Sequence, residues 1–356
     1  MNKIIKNVLL KIENNGFEAY LIGGYVRDLL VGVSSFDIDI CTNATPKELI
    51  EIFPKASSKN LGGIDFKIKE YHFEITTYRE ETKYKNRKPI EFNYIDNLIE
   101  DLNRRDFTIN AICMNKLGEI IDILNGTKDI MDCKVRMIGN AKTKIEEDPL
   151  RILRGIRIAT ILNFNLETTL YKEIKNNSSL ILKLSNTRIK EELDKILLSN
   201  NVKRGLKMLE DFGITKLLKI TNYDDIVPVK NLEGMYAQID IKYNLPFTKV
   251  EKENITKIKK IIKDGEINSS TLYENGLYLS GIAADILNID KKIVTKMDKD
   301  LPIHERKDIN IKALELIKIG LKKEDISSIQ KDLETKILNK ELKNKKGEII
   351  KYIKNL

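Results

Sequence analysis

Two aspartates stand two residues apart in the run FDIDI, residues 36–40. On a β-strand alternate side chains share a face. Asp37 and Asp39 would therefore point one way, and Phe36, Ile38 and Ile40 would enter a core. Carboxylates held side by side repel unless a cation lies between them. An all-oxygen pair suits Mg²⁺, which binds one or two carboxylates and completes its shell with water and substrate phosphates. Just upstream, LIGGYVRDLL (21–30) closes an apolar run with Gly23 and Gly24. These let the backbone turn sharply and approach a ligand. The helix turn that follows offers free N–H groups to an anion, and Arg27 adds a guanidinium that can grip the same anion bidentately. A DxD alone marks no more than a solvated strand, and a GG alone no more than a turn. The two in this order describe a seat for a nucleoside triphosphate and its metal.

Two further stretches carry chemistry. IEDLNRRDFTINAIC (99–113) sets paired arginines before an acid and an amide. Arg105 would serve phosphate, and Asp106 and Asn110 ribose hydroxyls. EEDPLRILRGIRIA (146–159) opens a helix at Pro149. Asp148 and Arg151 are three apart, the spacing of neighbours on one helical face. Cytosine and adenine both show an amino donor beside a ring-nitrogen acceptor, so a carboxylate and a guanidinium can read either. Uracil and guanine would set a carbonyl against the carboxylate. Such a pair selects C and A without a template. Arg154 and Arg157 continue at the same spacing as a basic ridge towards the triphosphate.

GGYVRDLL with FDIDI, RRDFTINA and EDPLR, in that order, resemble the polymerase-β-type nucleotidyltransferases. More narrowly they resemble the class II tRNA nucleotidyltransferases (CCA-adding enzymes) and the bacterial poly(A) polymerases. The resemblance spans roughly residues 17–218. It implies an α+β chain: an N-terminal nucleotidyltransferase head with a mixed sheet (1–140), a helical neck that selects the base (141–200), and a helical body and tail that hold tRNA (201–356). It implies transfer of nucleotides from CTP and ATP to the 3′ end of tRNA, with two Mg²⁺ ions at Asp37 and Asp39. Glu74 matches the acid that supplies a third carboxylate in the family, although an outward-facing strand acid would look the same. In the family's EDxxR motif, matched by Glu147, Asp148 and Arg151, the acid and arginine read the base. The polar stretch 79–90, expected as a flexible loop, keeps the family's Arg79, Tyr84, Arg87 and Pro89. In LSNTRIKEELDKIL (184–197), Arg188 and Glu191 match a bracing motif, and Thr187 stands where that motif has glutamate. The neighbouring possibilities are an A-adding enzyme, a poly(A) polymerase and a non-catalytic RNA-binding relative. The intact aspartate pair disfavours the last of these.

The elements that must position these residues follow from pattern. A helix is expected over 2–14, a strand over 17–22, a helix after the Thr45-Pro46 start, and a hairpin pair over 64–70 and 72–78. From about 220 the pattern is helical, with breaks near 222–231, 265–270 and 299–302. A chain of 356 residues is too long for one ordinary core. Its net charge is +9. Residues 1–140 hold 20 Lys and Arg against 21 Asp and Glu, whereas residues 141–356 hold 42 against 32. A near-neutral catalytic part with a basic remainder suits a polyanion held by the remainder. Cys41, Cys113 and Cys133 show no CxxC spacing and read as buried apolar residues in a reduced, cytoplasmic protein. No run reaches the length of a membrane span, and no membrane partner is expected. The two histidines, His72 and His304, read as incidental.

Overall fold

The computed structural model describes residues 1–59, 62–85 and 88–356, apart from the side chains of 82–90. Arg87 lies outside the described residues, as do the side chains of Tyr84 and Pro89. The chain divides into two compact units, Met1–Leu218 and Lys219–Leu356.

The first unit opens with α1 (Lys3–Glu13), started by the Asn2 side chain accepting from the N–H of Ile4. Then come β1 (Tyr20–Ile22), α2 (Gly24–Leu30), β2 (Asp37–Thr42) and α3 (Pro46–Ile52). Thr45 and Glu48 form a reciprocal capping box at the start of α3, with Pro46 in its first turn. The strands β3 (Ser57–Lys59), β4 (Gly63–Ile68) and β5 (Tyr71–Thr77) follow. β4 and β5 form the expected antiparallel pair. With β8 (Cys113–Met114) and β9 (Ile120–Ile121) these strands make a mixed seven-stranded sheet in the order β3-β4-β5-β2-β1-β8-β9. β2 runs parallel to β5 and antiparallel to β1, so Asp39 lies between Ile22 and Glu74, and Asp37 lies beside His72.

Alternation along β2 splits the sheet into its two faces. Ile38 and Ile40 enter a core with α1, α3 and the inward residues of β4 and β5. Cys41 continues the face of the two aspartates into a second core with Ile22, Tyr78, Leu102 and Cys113. Phe36 departs from expectation. It is 54% exposed at the mouth of the strand, its ring 5.8 Å from that of Tyr71, because it precedes the first residue that the sheet covers. Cys41 and Cys113 are buried as expected, but Cys133 is exposed.

The stretch expected as a loop over 79–90 is instead a hairpin, β6 (Arg79–Lys85) with β7 (Lys88–Tyr94), bulged near Glu81 and Lys83. It forms its own two-stranded sheet. Backbone pairing between its two strands defines it. α4 (Leu98–Asn103), the 3-10 turn Thr108–Asn110, α5 (Gly126–Met131) and the short strand β10 (Lys134–Val135) complete this part. α6 (Ala141–Glu147) and α7 (Leu150–Leu162) meet at Asp148-Pro149. β11 (Asn165–Leu166), α8 (Thr168–Asn177), α9 (Asn186–Leu197), α10 (Val202–Asp211) and α11 (Ile214–Leu218) close the unit, with α7 packed on α9 and α10.

In the second unit, β12 (Ile220–Thr221) pairs with β13 (Asp240–Ile241) around α12 (Leu232–Ala237). α13 (Lys249–Asp264), α14 (Ser269–Leu287), α15 (Lys291–Lys299), α16 (Ala313–Lys318), α17 (Ile326–Leu338) and α18 (Lys346–Lys354) follow. α14 is the hub, packing against α13, α15 and α17, and it kinks at Gly276, where φ is +73°. Among the described residues no helix is long and apolar enough to cross a membrane. The chain is therefore a mixed-sheet head followed by helices.

Candidate active site

Burial deepens along one face of β2. The Asp37 side chain is 87% exposed, Asp39 is recessed, and Cys41 is fully covered. The turn before α2 comes against this strand. Gly23 has φ +77°, and a Cβ there would lie 2.8 Å from Oδ2 of Asp39. Only glycine meets both demands. Gly24, singled out by the sequence, is less constrained, since an added Cβ would meet only the Arg27 guanidinium at 3.6 Å.

Burial pushes the Asp39 carboxyl up to about 6. The charges of Glu74 and Asp37 push the same way, while Arg105 and Lys59 oppose them. Glu74 is thus beside Asp39, as its register requires, but its own carboxylate is taken by Lys59, with Oε2 2.5 Å from Nζ. Nδ1 of His72 lies 3.6 Å from Oδ1 of Asp37 and its Nε2 3.6 Å from Oδ2 of Asp65. Among the described residues, no three acid, imidazole or thiol groups converge into a ready metal cage. Two carboxylates on one face, one of them pushed up by burial and by its acidic neighbours, form an oxygen-only pair. That pair fits a hard divalent cation whose remaining ligands are water and phosphate.

A hydrogen-bonded chain forms the next wall. Arg27 donates from Nε and Nη2 to Oδ1 of Asp28 at 2.9 and 2.6 Å, and from Nη1 to Oδ1 of Asn110 at 2.6 Å. Asn110 donates to Oδ1 of Asp106 at 3.2 Å. Asp106 also accepts from the Phe107 N–H at 2.8 Å and from Nε of Arg154 at 2.7 Å. Burial would raise the Asp106 carboxyl, but Arg154 and these hydrogen bonds outweigh it and hold the group below the usual carboxylate range. The three groups expected to meet phosphate and ribose therefore lock one another into place.

Behind them, Asp101 is fully buried on α4. It accepts from Nε of Arg104 at 2.8 Å, from Nη2 of Arg105 at 3.0 Å and from the backbone N–H of Arg79 at 3.2 Å. Sequence reasoning assigned Arg105 and passed over Asp101, although the signal was present. Asp101 lies three and four residues before the two arginines, the spacing of helical ion pairs.

At the far end the expected geometry is corrected. Asp148 and Arg151 do not share a helical face, because α6 ends before Asp148, which is extended at φ −140° and ψ 98°. A residue before proline is driven out of the helical region. From this joint Asp148 accepts the N–H of Leu150 at 3.0 Å. Arg151 is buried and donates from Nη1 to the Lys144 carbonyl at 2.6 Å and to Glu147 at 3.1 Å. On α7, Arg157 pairs with Glu192 at 3.3 Å. The brace is thus Glu192, buried on α9, and not Glu191, which is exposed and bound to Arg188 at 2.9 Å.

One cleft of about 640 Å³ gathers Gly24, Arg27, Asp37, Asp39, Arg105, Asp106, Asn110, Asp148, Arg151, Arg154 and Arg157. Gly23, Arg79, Glu81 and Arg104 also line it. Glu74 instead lines an adjoining cavity of about 340 Å³ that shares Asp39, Arg79, Arg104 and Arg105. A small anionic ligand with a flat polar base fits the first cleft: anion donors at one end, a carboxylate pair beside them, and an acid with an arginine at the other.

Comparison with known proteins agrees with this arrangement. Residues 19–136 match the family described as Poly A polymerase head domain, and residues 163–221 match the probable RNA and SrmB-binding site of polymerase A. The chain is 32% identical to the CCA-adding enzyme of Lactococcus lactis subsp. cremoris (strain SK11), over 98% of this chain and 95% of that one. It is 31% identical to that of Streptococcus agalactiae serotype V, with the same coverage. Among solved structures, the Bacillus stearothermophilus CCA-adding enzyme in complex with CTP is similar in fold, with a TM-score of 0.85 at 22% identity, covering 100% of this chain and 98% of that one. The Thermotoga maritima CCA-adding enzyme complexed with tRNA has a TM-score of 0.70 at 20% identity, covering 100% and 96%.

Proposed function

The chain belongs to the CCA-adding enzyme family, and on that premise we propose how its own residues carry out the reaction. C and A nucleotides from CTP and ATP are added, without a nucleic-acid template, to the 3′ end of tRNA. The terminal 3′-hydroxyl attacks the α-phosphate and gives up its proton to solvent; the new O–P bond forms as the bond to the β-phosphate oxygen breaks and pyrophosphate leaves. The observation that carries this reading is the single cleft joining Asp37 and Asp39 to the Gly23–Arg27 turn and to the Asp148–Arg151 joint.

Gly23 and Gly24 bring the backbone close to the triphosphate, and Arg27 and Arg105 bind it, held by Asn110 and Asp101. Asp106 and Asn110 face the ribose. Asp148 accepts from the exocyclic amino group of C or A while Arg151 donates to the ring nitrogen. UTP and GTP are rejected because a carbonyl would meet the carboxylate and leave buried polar groups unpaired. Arg154 and Arg157, fixed by Asp106 and Glu192, set the cationic wall. Asp37 and Asp39 would hold Mg²⁺, which supplies charge neutralisation at the attacking and leaving oxygens. Glu74 sets the charge around Asp39 and carries Lys59. Residues 141–200 act as the base-selecting neck, and the basic helices beyond hold the tRNA, in the cytoplasm where that substrate is.

A primer-extension gel tests the reading. The purified protein with Mg²⁺ receives tRNA transcripts ending before CCA, after C or after CC, with CTP, ATP or both. Three additions and then a stop are expected. A single A added only to the CC-ended transcript would make it an A-adding enzyme, and a long ladder with ATP a poly(A) polymerase. In the same assay Asp37→Ala is expected to abolish addition while tRNA binding is largely kept, and Arg151→Ala to blur discrimination among the four nucleotides.

A further inference from the structure

The face of the sheet turned away from the paired carboxylates carries a groove of its own. Ile64, Phe66 and Ile68 alternate along β4 on the side that packs with α1 and α3. Beside this end of β4, between α1 and the connection from α3 to β3, lies a groove of about 890 Å³. α1 supplies one wall with Ile4, Val8 and Lys11. These residues stand at i, i+4 and i+7, a stripe about 10 Å long at 1.5 Å per residue. Phe53 and Phe66 line the groove as a stacked pair, with ring centroids 4.9 Å apart. Ile4, Phe66 and Ile68 are only half-buried, so the fold leaves apolar surface uncovered there. Three lysines line the same groove, Lys11, Lys55 and Lys67, against one acid, Asp65. That acid is turned to the other face of β4, its Oδ2 3.6 Å from Nε2 of His72. The Lys11 ammonium stands over the Phe53 ring, 4.6 Å from its centroid, and Lys55 is exposed.

We propose that this groove docks an acidic amphipathic helix of a partner protein. A helix laid in a groove is held by anchors at i, i+3 or i+4 and i+7, and the stripe on α1 offers the length of such a set. Its apolar anchors lie against Phe53, Phe66 and Ile68, and its carboxylates meet Lys11 and Lys55. Charge complementarity sets the sign of the partner: the groove presents three ammoniums, its one acid is engaged elsewhere, and a basic helix would bring like charges together. Asp37 and Asp39 lie on the opposite face of the sheet, so the docked helix leaves the triphosphate cleft open. The surface tethers the enzyme to its partner without blocking addition.

The test is fluorescence anisotropy of the full-length protein with a matched pair of labelled peptides. Each has about 14 residues, the length at which an isolated helix begins to hold. Both carry leucine at the anchor positions; one has glutamate at its charged positions and the other lysine. The glutamate peptide is expected to bind the wild-type protein, more weakly as salt rises, and the lysine peptide is not. Lys11→Glu combined with Lys55→Glu should weaken the glutamate peptide roughly tenfold, as for the loss of two surface ion pairs. The same variant should make the lysine peptide the tighter ligand, a gain that a misfolded protein could not show. Nucleotide addition by the variant, and by the wild-type protein saturated with the glutamate peptide, should stay within about twofold of the free wild type, as for distant, independent sites. Equal binding of both peptides, binding of neither, or a preference that charge reversal does not invert would overturn the proposal. So would displacement of the glutamate peptide by single-stranded poly(U), which would make the groove an RNA surface, or inhibition of addition by that peptide, which would place it in the cleft.

Discussion

At the residue scale, Asp39 concentrates the conflict that the site is built around. Its carboxyl is pushed up to about 6 from an ordinary 3.8, by burial and by Glu74 and Asp37. In the metal-free protein the folded state therefore binds a proton more tightly than the unfolded state. The Asp39 contribution to stability falls as pH rises from about 4 to about 6 and stays lowered above that. The shift corresponds to about 3 kcal/mol at 1.36 kcal/mol per unit. Asp39→Asn is expected to remove this penalty, so that the metal-free variant gains on the wild type from pH 4 to pH 8 by up to that amount, yet is inactive. Urea denaturation of both proteins at pH 4 and pH 8 in the presence of EDTA measures it. A stability difference between Asp39→Asn and the wild type that does not grow through that window would show that Asp39 is not strained. Mg²⁺ should recover the lost stability, since a ligand that binds only the folded state stabilises it. The fate of the paired carboxylates was half legible. The strand period shows that Asp37 and Asp39 share a face, but not that one is open and the other recessed.

At the scale of elements, Asp101 ties three pieces together: α4, on which it sits, the start of β6 through the Arg79 N–H, and the two cleft arginines Arg104 and Arg105. Burial works to raise its carboxyl, but Arg105 and Arg104 hold it below the usual range. Asp101→Asn takes the buried counter-charge from Arg105 and leaves Arg104 only its longer pairing with Glu81 at 3.5 Å. Breaking such a pair costs about 3–5 kcal/mol, so a clear drop in Tm together with a raised KM for ATP is expected. A normal Tm with normal ATP binding would show that the arginines stand without it. The α6–α7 joint belongs to this scale too. The motif EDPLR was readable, and Pro149 was rightly placed at a helix start. What spacing alone missed is that the proline also ends the preceding helix, which moves Asp148 off the helical face of Arg151 and into the corner of the cleft.

At the scale of the whole molecule, the positive charge of residues 141–356, with 42 Lys and Arg against 32 Asp and Glu, is the feature that suits a tRNA. Affinity for tRNA is expected to fall steeply with salt. Neutralising about six phosphates would cost on the order of 10³ between roughly 50 and 200 mM. Filter binding across that range measures it, and a flat response would show that charge is not what holds the RNA. The amino-acid sequence by itself determined the motifs, their order, the alternation of β2, the capped start of α3 and the hairpin of β4 with β5. Each of these depends on neighbours a few residues apart, where the strand period, the helix period and turn chemistry act. Only the tertiary structure decided that Lys59 takes Glu74, that His72 stands by Asp37, and that Glu192 rather than Glu191 braces Arg157. It also decided that all the selected groups except Glu74 share one cleft. Those pairings follow from strand register and helix packing between segments far apart in the chain, and no local periodicity encodes them.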